Sequence, residues 1–187
     1  MQTHQTSVVR AVVEWVAIFV VVFAFMMLVR AFVIEPYVVP TGSMEQTIQI
    51  GDTIMGQKVT VELGIDVKQG DIVIFRNPEA TSDHDILVKR VIATEGQTVD
   101  LEGGQVYVDG QALDESYTQG ESWPLASQAP GVSISYPYTV PEGCIWVMGD
   151  NREDSADSRY FGAVPKENLV AVALFRFWPL DRIGLVQ

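Results

Sequence analysis

Cysteine and histidine are scarce in this sequence, and their scarcity excludes several kinds of site. Cys144 is the only cysteine, so the chain forms no internal disulfide and no zinc site built on several cysteines. The only histidines are His4 and His84, so we expect no histidine-rich metal centre. The fold must therefore be held by an apolar core, and we predict an activity that needs neither a metal nor a cofactor.

Positive charge is also scarce. The 187 residues include 12 Lys and Arg against 24 Asp and Glu, which gives a formal net charge of −12. Residues 1–35 contain two residues of each sign, so the other 10 basic and 22 acidic residues account for the whole charge. This acidity argues against a nucleic-acid partner and is typical of a solvated surface.

Charge is absent altogether from residue 15 to residue 29. Flanking apolar residues extend this run to about the 20 positions that a bilayer span needs. A cleaved signal peptide needs small residues at a cut site, which the chain after Arg30 does not offer, and a buried core helix normally has a polar face. We therefore predict a short tail at 1–10 and a retained transmembrane helix at 11–34. Arg10 and Arg30 flank it symmetrically, so its orientation stays open.

After Glu35 the pattern changes to short β-branched and aromatic runs separated by Gly-Asp and Gly-Gly turns. Residues 35–187 are therefore predicted to be one all-β domain of antiparallel sheets. A segment rich in Ser, Gln, Gly and Pro at 112–141 is interpreted as a mobile surface excursion from the sheet. The predicted strands are 37–39, 71–75, 86–88, 105–108, 144–148 and a longer one at 169–178, where alanines leave a helix possible.

Residues 40–44, Pro-Thr-Gly-Ser-Met, present Ser43 at a predicted turn shortly after the apolar run. A serine hydroxyl attacks well only when a neighbouring base takes its proton. His84 has an aspartate on each side, but neighbours on a strand point to opposite faces, so neither aspartate is placed to orient the imidazole. We therefore interpret His84 as a solvated loop residue rather than as the base.

Lys89 is the stronger candidate for the base. Burial disfavours the charged ammonium and lowers its pKa, so a buried lysine can accept a proton near neutral pH. Periodicity alone leaves an alternative open, an edge strand with both Lys89 and Arg90 in solvent. In this otherwise apolar strand, alternation sends Leu87, Lys89 and Val91 to one face and Val88, Arg90 and Ile92 to the other.

The loop at 149–162 is dense in charged side chains and directly follows a predicted strand. An EF-hand calcium site does not fit, because Arg152 occupies the third ligand position and Ser155 replaces the turn glycine. We predict a polar network instead, in which Asp157 and Arg159 form an ion pair and Ser155 offers its hydroxyl to a neighbour.

Three segments, in this order after a membrane helix, resemble bacterial type I signal peptidase. They are residues 40–44, the strand with Lys89 and Arg90, and the loop at 149–162, together with the Gly-Asp pairs at 51–52 and 70–71. The resemblance implies a serine–lysine endopeptidase with an all-β catalytic domain. This domain would lie on the extracytoplasmic face of the cytoplasmic membrane, held there by a single span.

The resemblance also implies roles for individual residues. Ser43 would be the nucleophile, Lys89 the general base, and Thr41 an oxyanion donor beside the backbone N–H of Ser43. Ser155 would orient Lys89, and the pair Asp157–Arg159 would hold the loop. The substrate pockets would be lined by Tyr37, Val39, Met44, Ile48, Leu87 and Val88. The sequence departs from the family pattern at Gln46, where proline is usual, and at Thr41, where serine is frequent.

The partners implied are secretory preproteins with small residues at the first and third positions before the cut, and membrane lipid. Two alternatives remain from the residues themselves. One is a self-cleaving repressor of similar fold and serine–lysine chemistry, although such proteins carry a DNA-binding module. The other is a membrane-tethered β domain that binds a partner without catalysis, which leaves Lys89 and the loop at 149–162 without roles.

Overall fold

A computed structural model describes residues 2–79 and 85–186 of the chain, as one long helix followed by two antiparallel sheets. The helices are α1 (Gln2–Phe32), α2 (Val59–Glu62) and α3 (Ser158–Phe161), with short 3-10 turns at Lys166–Asn168 and Leu180–Arg182. The strands are β1 (Ile34–Val38), β2 (Thr53–Gln57), β3 (Ile72–Arg76), β4 (Ile86–Thr94), β5 (Thr98–Glu102), β6 (Gln105–Val108), β7 (Gln111–Ala112), β8 (Tyr138–Thr139), β9 (Cys144–Met148), β10 (Val164–Pro165), β11 (Leu169–Trp178) and β12 (Gly184–Leu185).

Helix α1 contains the predicted membrane span. Residues Val9–Arg30 are 22 residues with a mean hydropathy of 2.7, and none of this stretch is buried against the rest of the chain. At about 1.5 Å per residue, such a helix crosses the roughly 30 Å hydrocarbon core of a bilayer. The predicted boundary at residue 34 differs from the structure, because the helix ends at Phe32 and Ile34 already pairs with Gln57 in the sheet.

The larger sheet has the order β1-β2-β11-β3-β4-β9-β10, with β12 paired to β11, and every strand pair in it is antiparallel. The predicted all-β class is therefore confirmed. Strand β11 pairs with both β2 and β3, so the alanines at 169–178 belong to a strand and not to a helix. Pro36 lies in β1 at the sheet edge, where a missing backbone N–H costs no ladder bond.

Strand β4 lies inside the sheet, between β3 and β9, so the alternative of a solvated edge strand does not hold. Leu87 and Val91 pack against one apolar cluster, around Phe75, while Val88 packs against another. The predicted alternation of faces is therefore present. A third cluster, around Trp146, joins this sheet to the smaller one of order β7-β6-β5-β8.

The excursion at 112–141 lies largely at the surface, as predicted, and hydrogen bonds connect it to the loop at 149–162. The carboxylate of Glu115 accepts from Arg152 Nη2 at 2.5 Å, and the backbone N–H of Ala129 donates to the Tyr160 carbonyl at 2.9 Å. Its polar side chains and main chain therefore pair with the loop at 149–162. The prediction of a mobile excursion did not anticipate these partners, which come from distant parts of the chain.

Candidate active site

Ser43 lies in a series of tight turns that follows β1. The residue is buried, with 8% of its surface exposed. The backbone N–H of Asn151 donates to the Ser43 carbonyl at 3.1 Å, and Asn151 Nδ2 donates to the Gly42 carbonyl at 3.2 Å. The loop at 149–162 therefore fixes the main chain on both sides of the Gly42–Ser43 peptide. Sequence reasoning missed Asn151, because an asparagine in a polar loop carries no distinctive signal.

Lys89 meets Ser43 directly. Lys89 is 2% exposed, and its Nζ donates to Ser43 Oγ at 2.5 Å. Burial lowers the pKa of Lys89 to about 8, against the opposing effects of the carboxylates of Asp157 and Asp150, which raise it. At pH values above about 8 the amine is mostly neutral and can accept a proton from the adjacent hydroxyl.

Asp157 and Arg159 form the predicted ion pair in a completely enclosed position. Arg159 Nη2 donates to Asp157 Oδ2 at 2.9 Å, and the N–H of Gly149 donates to the same oxygen at 3.0 Å. Burial alone would raise the pKa of Asp157, but Arg159 and these donors hold the pKa below its ordinary value. Asp157 also caps α3 through the backbone N–H of Arg159.

Ser155 does not make the predicted hydrogen bond to Lys89 in the described part of the chain. Its Oγ is buried without a hydrogen bond of acceptable geometry there, and it lies against Gly149 and near the Asp157 carboxylate. A Cβ at Gly149 would stand 2.3 Å from that oxygen. Ser155 is thus packed beside the loop that holds Ser43, and its role in orienting the base stays a prediction.

Arg90 is as buried as its neighbour Lys89, which the strand pattern did not predict. It is 2% exposed and forms two hydrogen bonds to the enclosed Asp150, from Nε at 2.8 Å and from Nη2 at 2.7 Å. Thr47 Oγ1 donates to Asp150 at 2.5 Å. A buried arginine needs such a bidentate carboxylate, because an unpaired buried charge is strongly destabilising.

Two clefts meet at Ser43. The first, of about 290 Å³, is largely apolar and includes five of the predicted pocket residues, whereas Ile48 is fully buried in the core and does not line it. The second, of about 310 Å³, lies on the Lys89 side and includes Glu79 and Asp154. The first cleft is lined by Tyr37, Val38, Val39, Pro40, Thr41, Ser43, Met44, Asp85, Ile86, Leu87 and Val88.

Thr41 and Gln46 are the two departures from the family pattern. Thr41 is half-buried and lines both clefts beside Ser43, a position compatible with the predicted oxyanion role. Gln46 has a φ of 88°, which proline cannot adopt because its ring holds φ near −65°. The turn after Ser43 therefore has a backbone that suits a residue other than proline.

The sequence also led to predictions about His84 and about metal binding. His84 lies outside the described residues, so its interpretation as a solvated loop residue stays a prediction. Within residues 2–79 and 85–186, no group of three or more His, Cys, Asp or Glu side chains is arranged to hold a metal ion. The absence of a metal requirement likewise stays a prediction.

Comparison with known proteins places these features in a family. The family model for signal peptidase, peptidase S26, matches residues 12–178. The chain is 40% identical over 162 residues to the probable signal peptidase I-2 of Synechocystis sp., a match that covers 84% of this chain and 69% of that protein. It is 33% identical over 186 residues to signal peptidase I of Bacillus licheniformis, with 97% of each chain covered.

A solved signal peptidase I from Enterococcus faecalis is 33% identical and matches 57% of this chain and 96% of that one, with a TM-score of 0.43. The family assignment rests on the family model and the curated relatives, which span most of the chain. The chain belongs to the signal peptidase family, peptidase S26, whose members are serine endopeptidases.

Proposed function

We propose that this protein removes signal peptides from exported preproteins, with Ser43 as the nucleophile and Lys89 as the general base. The observation that carries the proposal is the 2.5 Å contact between Lys89 Nζ and Ser43 Oγ, with both side chains enclosed. A buried lysine beside a serine hydroxyl, at the meeting point of two clefts, is the arrangement that nucleophilic catalysis by a serine–lysine pair requires.

The first half of the reaction forms an acyl-enzyme. Neutral Lys89 accepts the proton of the Ser43 hydroxyl while Oγ bonds to the scissile carbonyl carbon, and the carbonyl electrons move onto its oxygen. The backbone N–H of Ser43 and the hydroxyl of Thr41 donate to this oxyanion, which preorganised donors stabilise. The C–N bond then breaks, and protonated Lys89 gives its proton to the leaving amine.

The second half releases the signal peptide. Lys89, neutral again, takes a proton from a water molecule as the water oxygen attacks the ester carbonyl. A second tetrahedral intermediate uses the same two donors. Its collapse breaks the bond to Ser43 Oγ, and Lys89 returns the proton to that oxygen, which regenerates the hydroxyl.

The first cleft is the proposed site for the residues before the cut. Strand β1 ends beside it, and the outer edge of β1 has no partner strand in the described chain. An extended substrate can therefore add to the sheet there through main-chain hydrogen bonds. Branched walls such as Val39, Leu87 and Val88 leave room for small side chains, so alanine should be accepted at the first and third positions before the cut. One methylene in such a pocket is worth about 1–3 kcal/mol.

We extend the proposal to the organisation of the chain. Helix α1 contains the membrane span Val9–Arg30, and the peptidase domain begins with β1 at Ile34 and includes the excursion at 112–141. The chain crosses the cytoplasmic membrane once, with the peptidase domain in contact with lipid at the extracytoplasmic face. This arrangement places the active site where the preprotein's own apolar segment is held in the bilayer.

The test is incubation of the purified full chain in detergent with a preprotein, with the cut site determined by mass spectrometry. We expect a single cut after an Ala-x-Ala sequence, and no cut with Ser43→Ala. Cleavage by Ser43→Ala at the rate of the unmodified protein would reject Ser43 as the nucleophile. Cleavage after phenylalanine or leucine with equal efficiency would reject the proposed pockets.

A further inference from the structure

The excursion at 112–141 contains a segment that crosses directly behind the loop that holds Ser43. We call residues 115–122 the strap. The N–H of Gln119 donates to the Asp150 carbonyl at 2.8 Å, and the N–H of Arg152 donates to the Gln119 carbonyl at 2.8 Å. Gln119 and Asn151 thus form a parallel β-bridge. Asn151 in turn holds the main chain of Gly42 and Ser43, so the strap and the nucleophile are joined through one residue.

The strap also supplies the carboxylate that pairs with a buried arginine of this loop. The side chain of Arg152 is 1% exposed, and its Nη1 and Nη2 donate to the two oxygens of Glu115 at 2.9 and 2.5 Å. Arg152 Nη1 also donates to Ser122 Oγ, and Nε donates to the Gly149 carbonyl at 3.0 Å. A guanidinium so enclosed holds a fixed position only while its bidentate partner stays in place.

A second contact reaches the strand of the proposed base. The Arg90 guanidinium lies 3.8 Å from the ring centroid of Tyr117, and the Tyr117 hydroxyl donates to Glu115 at 3.2 Å. Arg90 follows Lys89 in β4 and pairs with Asp150. The strap therefore contacts two of the buried arginines around the site, Arg152 by an ion pair and Arg90 by a cation–π contact.

We propose that Glu115 is a positioning residue for the Ser43–Lys89 pair, which it acts on through Arg152 and the Asn151 bridge to Ser43. The inference rests on the proposed function above. Glu115 does not touch the reacting atoms. It holds the turn at 149–152 from behind, so that the Ser43 main chain, and with it Oγ, stays within hydrogen-bonding distance of Lys89. A segment whose composition suggests a surface loop is, on this view, part of the catalytic scaffold.

The test compares Glu115→Gln with Glu121→Gln in the full chain. Both variants remove one negative charge from the strap, but Glu121 is exposed and bonds only to the Trp123 indole N–H among the described contacts. We expect Glu115→Gln to lower kcat for preprotein cleavage by about 10- to 100-fold with KM within about twofold, since a small displacement of reacting groups has effects of this size. Glu121→Gln should keep the kcat and KM of the unmodified protein.

Hydrogen exchange provides a readout that does not depend on activity. Exchange at residues 41–47 and 149–152 should accelerate at least about tenfold in Glu115→Gln, while β5 and β6 stay protected. Uniform acceleration, or a lower melting temperature with unchanged kcat below it, would show a purely structural role and overturn the inference. If the unmodified protein cleaves no preprotein, the proposed function fails, and the local exchange pattern still decides whether the strap holds the turn.

Tyr117→Leu covers the case in which Glu115→Gln does not fold. It removes the ring from Arg90 and the hydroxyl from Glu115 but leaves no buried charge unpaired. We expect a loss of about three- to tenfold in kcat, with local acceleration of exchange at 149–152. An unchanged kcat together with an unchanged exchange pattern in this variant would overturn the inference.

Discussion

A lysine that accepts a proton must first lose its own, and at position 89 burial favours that loss. The pKa of about 8 results mainly from desolvation, which the carboxylates of Asp157 and Asp150 partly oppose. Asp154, on the exposed side of the second cleft, also raises it. The pKa of Lys89, the proposed base, is therefore set by its enclosure first and by the surrounding charges second.

This tuning predicts the pH dependence of cleavage. In the proposed mechanism Lys89 acts as a neutral amine, so kcat should rise with pH through a value near 8 and level off above it. Asp154→Asn removes a charge that raises this pKa, so the acid limb should move to lower pH. The measurement is kcat against pH from 5 to 10, with Glu142→Gln, an exposed change elsewhere, as the control. A limb that moves to higher pH in Asp154→Asn would contradict the assignment of the limb to Lys89.

Replacement of Lys89, the proposed base, should abolish activity and at the same time increase stability. Lys89→Met should lose activity as completely as Ser43→Ala, because the two residues act as one unit, and Lys89→Arg should fail too since a guanidinium stays protonated. Lys89→Met should nevertheless raise the free energy of unfolding at pH 7. The folded-state pKa lies below the unfolded one, so a buried charge opposes folding by on the order of 3 kcal/mol at pH 7.

Because the pKa of Lys89 differs between the folded and unfolded states, the effect of Lys89→Met on stability should depend on pH. The stabilisation by Lys89→Met should shrink as pH rises through about 8 toward the ordinary pKa of lysine, because the amine then becomes neutral in both states. Thermal unfolding of Lys89→Met and of the unmodified protein at pH 7 and pH 10 measures this difference in stability. Lys166→Met, at a partly exposed lysine paired with Asp66 and Glu95, serves as the control and should change stability little. A Lys89→Met protein that still cleaves at a normal rate would end the serine–lysine mechanism.

At the scale of single residues, sequence reasoning selected Ser43 and Lys89, which the structure brings into contact, and the ion pair Asp157–Arg159, but it missed the partners of Arg90 and of the Ser43 main chain. Ser43 and Lys89 carry recognisable signals, a serine at a turn and a cation in an apolar strand. Alternation suggested that one of Lys89 and Arg90 faces the core, whereas both are buried because β4 lies between two other strands. The partner of Arg90 is Asp150, 60 positions away, and no local pattern links them.

Among the elements, the turn after β9 has the tightest geometry around the site. A Cβ at Gly149 would lie 2.4 Å from the Ser43 carbonyl oxygen and 2.3 Å from Ser155 Oγ. The first neighbour is backbone and cannot rotate away. Gly149→Ala should therefore displace Ser43 from Lys89 and reduce kcat about 100-fold or more.

The matched control for this change is Gly184→Ala in β12, where a Cβ meets nothing within 4 Å. It should keep the kcat and the melting temperature of the unmodified protein to within a few degrees. Gly149→Ala with normal kcat would mean that the turn and Ser43 move together, and that the contact with Asn151 does not fix the nucleophile.

The elements that were predicted and those that were missed differ in composition. The strands β6, β9 and β11 consist mainly of apolar residues, and the sequence indicated them. Strand β2, Thr-Ile-Met-Gly-Gln, has a glycine at its centre that weakens the pattern, yet a Cβ at Gly56 would come within 2.9 Å of Ala171 and Tyr37. The neighbouring strands leave no room for a side chain at Gly56, which is a tertiary constraint that local propensity does not reveal.

For the molecule as a whole, the C-terminal hairpin presents an apolar surface to solvent. Side chains at the end of β11 and in the segment after it are 52 to 74% exposed. A contiguous surface of this kind marks an interaction site, and a bilayer is the partner that a membrane-anchored chain always has beside it. The residues are Trp178, Leu180, Ile183 and Leu185.

We therefore expect a fragment that begins at Glu35 to bind lipid vesicles without α1. Replacement of Leu180, Ile183 and Leu185 by serine should reduce co-sedimentation with vesicles by about tenfold or more, since each buried apolar side chain contributes about 1.5–3 kcal/mol. Serine at Leu63 and Ile65, exposed apolar residues near α2, is the control and should leave binding unchanged. Equal loss in both variants would show that general hydrophobicity, rather than this surface, drives the association.

Only Val33 separates the last residue of α1 from the first residue of β1. Its N–H donates to the Val29 carbonyl and its carbonyl accepts from the Lys58 N–H, both at 2.8 Å, so this junction has no slack. A catalytic domain joined to α1 by so short a connection stays next to that helix. If α1 spans the membrane as proposed, the enzyme meets its substrates by lateral diffusion, and two partners held in one bilayer have a high effective concentration. The short junction would then set the distance from the membrane at which a preprotein is cut. Lengthening the junction should make the position of the cut less precise.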